Sequence, residues 1–144
     1  MLAFGEDNQK QVQSVVGESI NDFYKIGMGD KSFTTEDCIN LGKQHHEWLE
    51  YELSKNTDME TFVITHFSPT LDLGNPRFPV SEISAYFCNI YDELIDKYKP
   101  EIWAFGHTHA NFDIKESATR VVSNQQGYGQ ECTGSYQPNF YFTI

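Results

Sequence analysis

Long apolar runs are missing from this sequence. None approaches the ~18 residues that a membrane-crossing helix requires, so no membrane partner is expected. Positive charge is also scarce. Ten Lys and Arg stand against 21 Asp and Glu, for a net charge of −11. So acidic a chain repels a phosphate backbone, which argues against non-specific nucleic-acid binding. Any phosphate handled here needs a metal or a very local positive site. Cysteine is limited to Cys38, Cys88 and Cys132, odd in number, far apart and without a C-x-x-C pair. That pattern argues for reduced thiols in a cytoplasmic protein and against a disulfide framework. Met1 to Lys10 has neither a basic start nor an apolar stretch, so no signal peptide is expected. Internal repeats and low-complexity tracts are absent too. What remains is 144 residues, 39% hydrophobic and 15% aromatic. That suffices to bury the core of one domain of ordinary size over residues 1–144.

Val12, Val16, Ile20 and Phe23 recur at helical spacing and predict a first helix that frays before Gly27 and Gly29. Thr34 or Thr35 can cap a second helix, with Glu36 and Asp37 suited to its positive first turn. Leu41, Trp48, Leu49 and Leu53 form its apolar stripe. His45 falls within that stripe and is expected to pack, with His46 on the solvent side. Residues 61–66 are short, β-branched and bounded by Ser68-Pro69, predicting a buried strand that ends in a turn. Residues 72–79 carry Gly74, Asn75 and two prolines and read as a loop. A third helix is predicted through Ile83, Phe87, Ile90, Leu94 and Tyr98, with Asp92, Glu93 and Asp96 on its wet face and Pro100 as its stop. Residues 101–105 form a second short apolar strand. Beyond it only strands are expected, at 112–114, 119–123 and 140–144.

Strand, helix, strand at this spacing is a β-α-β crossover, so the two strands should be parallel neighbours. Ligands of open α/β sheets sit beyond the carboxyl ends of such strands. His66 stands at one end, and His107 and His109 stand just past the other. Three of the five histidines thus converge on one rim. Imidazole is a metal ligand at neutral pH because its second nitrogen is largely unprotonated there. A glycine, Gly106, precedes the pair and would let the backbone turn tightly. The bland reading is that each histidine satisfies backbone groups at a sheet rim, and H-x-H alone is a weak signal.

Two motifs sharpen this pattern: Thr65-His66-Phe67-Ser68-Pro69 after one strand and Gly106-His107-Thr108-His109 after the other. They resemble the late motifs, T-H-x-x-P and G-H-x-H, of the calcineurin-like metallophosphoesterases. Further segments look like one bacterial branch of that family, including Ile20-Asn21-Asp22-Phe23, Asn75-Pro76-Arg77-Phe78, Thr119 to Asn124 and Tyr136-Gln137-Pro138. The resemblance runs from about Ile20 onward. Gly42 stands where that branch tends to have His, and Gln125-Gln126 where it tends to have Pro-Arg. The resemblance implies that His66 and His107 bind one divalent cation (Mn, Fe or Zn) of a dinuclear centre and His109 the other. It also implies hydrolysis of phosphoric esters, the cations clamping phosphate oxygens and activating a water.

The family's early motifs, D-x-H, G-D-x-x-D and G-N-H, do not occur in these 144 residues. The expectation is therefore a C-terminal portion of the family's domain: an α/β fold with part of a β-sandwich flanked by helices, the N-terminal half missing. Three neutral ligands cannot hold two divalent ions close together against their repulsion, so the chain alone should be poorly active. A dinuclear centre would need the missing half. Asn111 and Arg120 are candidates for lining the cleft, a surface ion pair being the plainer reading of Arg120. Two alternatives are a mononuclear site of three histidines with one open position, and a truncated or docking module without activity. Both faces of the two short strands are apolar: Phe62, Ile64, Ile102 and Ala104 alternate with Val63, Trp103 and Phe105. One face lacks an obvious cover, which predicts self-association or a complementary N-terminal polypeptide, unless the aromatic C-terminal residues fold back over it.

Overall fold

A computed structural model describes residues 8–55, 58–129, 131 and 134–143. It is a mixed α/β fold. Helices α1 (Gln9–Ser19), α2 (Asp22–Lys25) and α3 (Thr35–Ser54) precede the main sheet, with a two-stranded ribbon, β1 (Gly27–Met28) and β2 (Lys31–Ser32), between α2 and α3. Then come β3 (Phe62–Ile64), α4 (Ser84–Phe87), α5 (Asp92–Tyr98), β4 (Ile102–Ala104), β5 (Phe112–Glu116) and β6 (Thr119–Ser123). The sheet order is β3-β4-β6-β5. The parallel pairing of β3 with β4 is the crossover expected from sequence, and β4 runs parallel to β6, while β5 and β6 form an antiparallel hairpin.

Register explains which face is core. Val63, Trp103 and Val121 stand side by side across the three parallel strands, and all three are buried with Leu94 and Ile95 of α5 and with Phe105. Leu49 and Leu53 of α3 pack on the same cluster. Helices therefore cover this face. On the opposite face, Ile102 and Val122 are 6% and 3% exposed. There the Phe142 ring lies 4.7 Å from the Arg120 guanidinium carbon, and Gln137 exchanges hydrogen bonds with the Asn124 side chain. The C-terminal residues thus fold back toward β6, though residues 140–143 form no strand, contrary to expectation, and Ile144 lies outside the described residues. The edge strand keeps its outer face bare: Phe62 is 45% and Ile64 82% exposed. β3 is half-buried, not buried as its composition suggested.

The helices depart from simple periodicity in instructive ways. The first is broken after Ser19, where Ile20 takes an extended backbone, and Phe23 reaches the core from α2. The third is two short helices, because Cys88 is extended and bridges to Ser68. Phe87 O and Asn89 N both bond the Ser68 backbone, at 3.2 and 2.8 Å. Backbone pairing with a distant segment has overridden the helical spacing of Phe87 and Ile90, and Ile90 is exposed. The α3 stripe also differs. Leu41 and Trp48 are exposed while Ile39 is buried. His46 packs against Tyr91, ring centroids 5.3 Å apart, and His45 faces solvent, the reverse of the expected pair. No helix among the described residues is long and apolar enough to cross a membrane.

The start of α3 agrees with the sequence. Thr34 Oγ1 accepts from Asp37 N at 3.1 Å, and the Asp37 carboxylate accepts from Thr34 N at 3.0 Å, a reciprocal capping box. The Thr34 hydroxyl, which donates to the same carboxylate at 2.6 Å, and then the Thr34 N–H hold the Asp37 carboxyl below its ordinary pKa. Removing the cap by Thr34→Ala should lower stability by about 1 kcal/mol. Gly42 sits in mid-helix with nothing within 4 Å of an added Cβ, so Gly42→Ala should raise stability by roughly 0.5–1 kcal/mol. Urea midpoints of the two variants should move in opposite directions. A shift of the same sign in both would contradict this account of α3.

Candidate functional site

The rim beyond β3 and β4 is built by hydrogen bonds that fold each strand end into a turn. Trp103 is fully buried in β4, and its Nε1 donates to Thr65 Oγ1 at 3.0 Å. That hydroxyl donates in turn to Phe67 O at 2.7 Å. The two bonds bracket His66. Gly106 N reaches back to His66 O at 3.0 Å, tying the second turn to the first.

The second turn is tight for a reason the sequence did not suggest. Gly106 is not in a left-handed conformation; His107 and His109 are, with φ of 68° and 52°. Each such residue costs roughly 1–2 kcal/mol, so surrounding bonds must impose the shape. Asn75 Nδ2 donates to the carbonyls of Thr108 and His109 at 3.0 and 3.4 Å. Gln125 receives His109 N at 2.8 Å and donates to Thr108 Oγ1 and Ala110 O at 3.2 and 2.8 Å. Asn75 and Gln125 are therefore positioning residues for the histidine turn.

His66 and His107 meet: His66 Nε2 lies 3.1 Å from His107 Nδ1. His107 is enclosed by rings, with Phe67 and Phe87 centroids each at 4.7 Å and Tyr86 at 5.7 Å. Its Nε2 is buried and has no hydrogen-bond partner among the described residues. Burial first, then the neighbouring His66 and His109, lowers its pKa to about 4. The ring is thus neutral at physiological pH. The Asp22 carboxylate acts in the opposite sense on His107, and it accepts the Tyr86 hydroxyl at 2.6 Å. Burial and that bond raise the Tyr86 phenol well above its ordinary pKa.

His109 turns elsewhere. Its Nδ1 lies 2.8 Å from Glu131 Oε2, and its ring meets Tyr128 edge-on at 4.6 Å. The same carboxylate oxygen accepts Tyr128 N at 2.6 Å. That backbone donor, with the His109 bond, holds the Glu131 carboxyl below its ordinary pKa. Glu131 and Asp22 are the two carboxylates of this neighbourhood that the sequence reading missed. Asp22 lies in the Ile20–Phe23 segment of the resemblance without a site role there, and no local pattern marks Glu131; the chain's path brings both to the rim.

The other two candidates have structural partners. Asn111 Nδ2 donates to Gln125 O and Ser135 Oγ, each at 3.1 Å, and its Oδ1 accepts from Gln125 N. Arg120 makes a two-pronged pair with Asp113, both bonds 2.8 Å. It lies level with Ile102 at the start of β4, the end opposite the histidines. Arg120 is the surface ion pair of the plainer reading.

The imidazole pair fits a divalent cation in one respect: a buried nitrogen without a partner is uncommon and calls for an explanation. It does not complete a centre. Among the described residues no group of three or more His, Cys, Asp or Glu is close enough to hold an ion. No family model, no curated protein and no solved structure matches the chain.

The depressed pKa of His107 has a consequence for the metal-free protein. An unfolded chain protonates this residue near pH ~6.5, whereas the folded one resists to about 4. Between those values the unfolded state binds more protons, so stability contributed here falls as pH drops from about 6.5 toward 4. His107→Phe should flatten that part of the profile, read as urea midpoint against pH in the presence of a chelator. Parallel profiles for the two proteins would mean that His107 is not held neutral.

Proposed function

We propose that this chain is the late-motif portion of a calcineurin-like metallophosphoesterase domain. Its part in phosphoric ester hydrolysis is to present His66, His107 and His109 to divalent cations that a complementary polypeptide helps to hold. The observation that supports this most is the buried, unpartnered Nε2 of His107 beside His66, at the carboxyl rim of parallel strands.

Each histidine has a distinct preparation. His107 is kept neutral by its aromatic enclosure, so a lone pair is available without competition from protons. His66 is exposed and shares one proton with it across the Nε2–Nδ1 contact, so a cation binding from the accessible side would displace that proton and take its place between the two rings. Glu131 orients His109 by taking its Nδ1–H, which places that ring's lone pair on Nε2, a carboxylate–histidine arrangement common behind metal ligands. Bound cations would supply charge neutralisation at a phosphate and a water of lowered pKa. The chain's own electrostatics cannot: at net −11 it repels a phosphate ester. The mononuclear alternative gains no comparable support, because His109 is drawn toward Glu131 and not into the His66–His107 pair.

Calorimetry of the metal-free chain with Mn²⁺ should show weak binding that falls by on the order of tenfold or more in His66→Ala or His107→Ala. Equal binding in wild type and both variants would refute the site. With bis-p-nitrophenyl phosphate and Mn²⁺, the chain alone should stay near background. Turnover should rise when a polypeptide carrying D-x-H and G-N-H motifs is added. Robust turnover by the chain alone, abolished by His109→Ala, would contradict the need for a partner.

A further inference from the structure

The outer edge of β3 is an unpaired template. Ile102 N donates to Thr61 O, and Thr65 N donates to Ala104 O, so the odd-numbered residues of this strand face β4. The backbone groups of Phe62 and Ile64 then point the other way, and no described segment pairs with them. The ladder to β4 runs from Thr61 to Thr65, long enough to guide an incoming strand. The sheet's other edge, β5, carries Asp113, Lys115 and Glu116, charges that discourage pairing. Nothing charged occurs from Thr61 to Thr65.

Beside this edge lies a cleft of about 680 Å³, bounded by Leu41, His45 and Trp48 of α3 on one side and Ile64 and His66 on the other. Its lining contains no Asp, Glu, Lys or Arg, in a chain with 31 such residues. Trp48 and Ile64 are 62% and 82% exposed, so apolar surface flanks the bare backbone. Charge distinguishes the two ends. Exposed Asp58 and Glu60 make the end before the strand acidic, whereas the Glu101 carboxylate is taken up by Thr61 N.

We propose that the β3 edge captures an extended segment of another polypeptide as an added strand. The segment has alternating apolar residues to fill the cleft and basic residues where it passes Asp58 and Glu60. Charge selects this occupant over a second copy of the chain, since two bodies of net −11 repel one another on approach. The inference stands on the edge and the cleft and holds whether or not a cation binds at the histidines. Main-chain bonds would supply register, and the cleft would read alternate side chains.

The test uses the full chain in EDTA and a fluorescein-labelled, amidated peptide, Lys-Lys-Val-Thr-Val-Thr-Val-Thr. Anisotropy should show saturable one-to-one binding, and amide exchange at Phe62 and Ile64 should slow on addition of the peptide. Ile64→Pro removes the outward donor at an edge position where proline is tolerated, and affinity should fall about tenfold. Trp48→Ala alters only an exposed side chain and should weaken binding severalfold, so the proposal remains testable if the proline variant misfolds. Absence of saturable binding, or folded Ile64→Pro and Trp48→Ala variants that bind like wild type, would overturn it. So would a concentration-dependent dimer with both amides protected before peptide is added, which would make a second copy the occupant. Working in EDTA separates this outcome from any failure of the metal reading.

Discussion

Trp103 and its in-register neighbours Val63 and Val121 are the constraint on which the rest of the chain depends. The indole has no exposed surface, and its only polar atom is satisfied by Thr65. A buried indole N–H without that hydroxyl would carry a desolvation penalty, so the bond aligns β3 with β4 as well as stabilising the core. From that alignment follow the position of His66, the approach of Gly106 to it, and the placement of α5 over the sheet. Leu94 and Ile95 complete the cluster that Trp103 centres.

Strain at the rim is the counterpart of order in the core. Two histidines in left-handed conformations and a buried nitrogen without a partner are costly features, and they occur within three residues of each other. The fold holds them by spreading the restraint over Asn75, Gln125 and the ring cage of Phe67, Tyr86 and Phe87. Such concentration of unfavourable local choices in one place is the pattern of functional or strained sites.

The two faces of the sheet resolve differently. Helices α3 and α5 close one. Over the other, the C-terminal residues reach β6, where Phe142 stacks on Arg120, and leave β3 bare. The same edge thus combines open backbone, exposed Ile64 and proximity to His66. The net charge of −11 opposes the approach of like chains.

Much of this could be read from residue order. The capping box of Thr34 and Asp37, the short strands around Val63 and Trp103, their parallel pairing and the β6 strand all follow from local chemistry and connection rules. So did the meeting of His66 and His107 on one rim, because strand ends and topology determine it together. Other features were decided by contacts between residues distant in sequence. The extended Cys88 exists because Ser68 pairs with it. His46 rather than His45 turns inward because Tyr91 lies on that side of α3. His109 turns to Glu131, 22 residues away, and the left-handed turn belongs to histidines rather than Gly106. Local propensity is worth tenths of a kcal/mol to about one per residue, whereas a buried backbone pair or ring contact competes at similar or greater magnitude. Where such long-range partners existed they prevailed, and where none did the local signal stood.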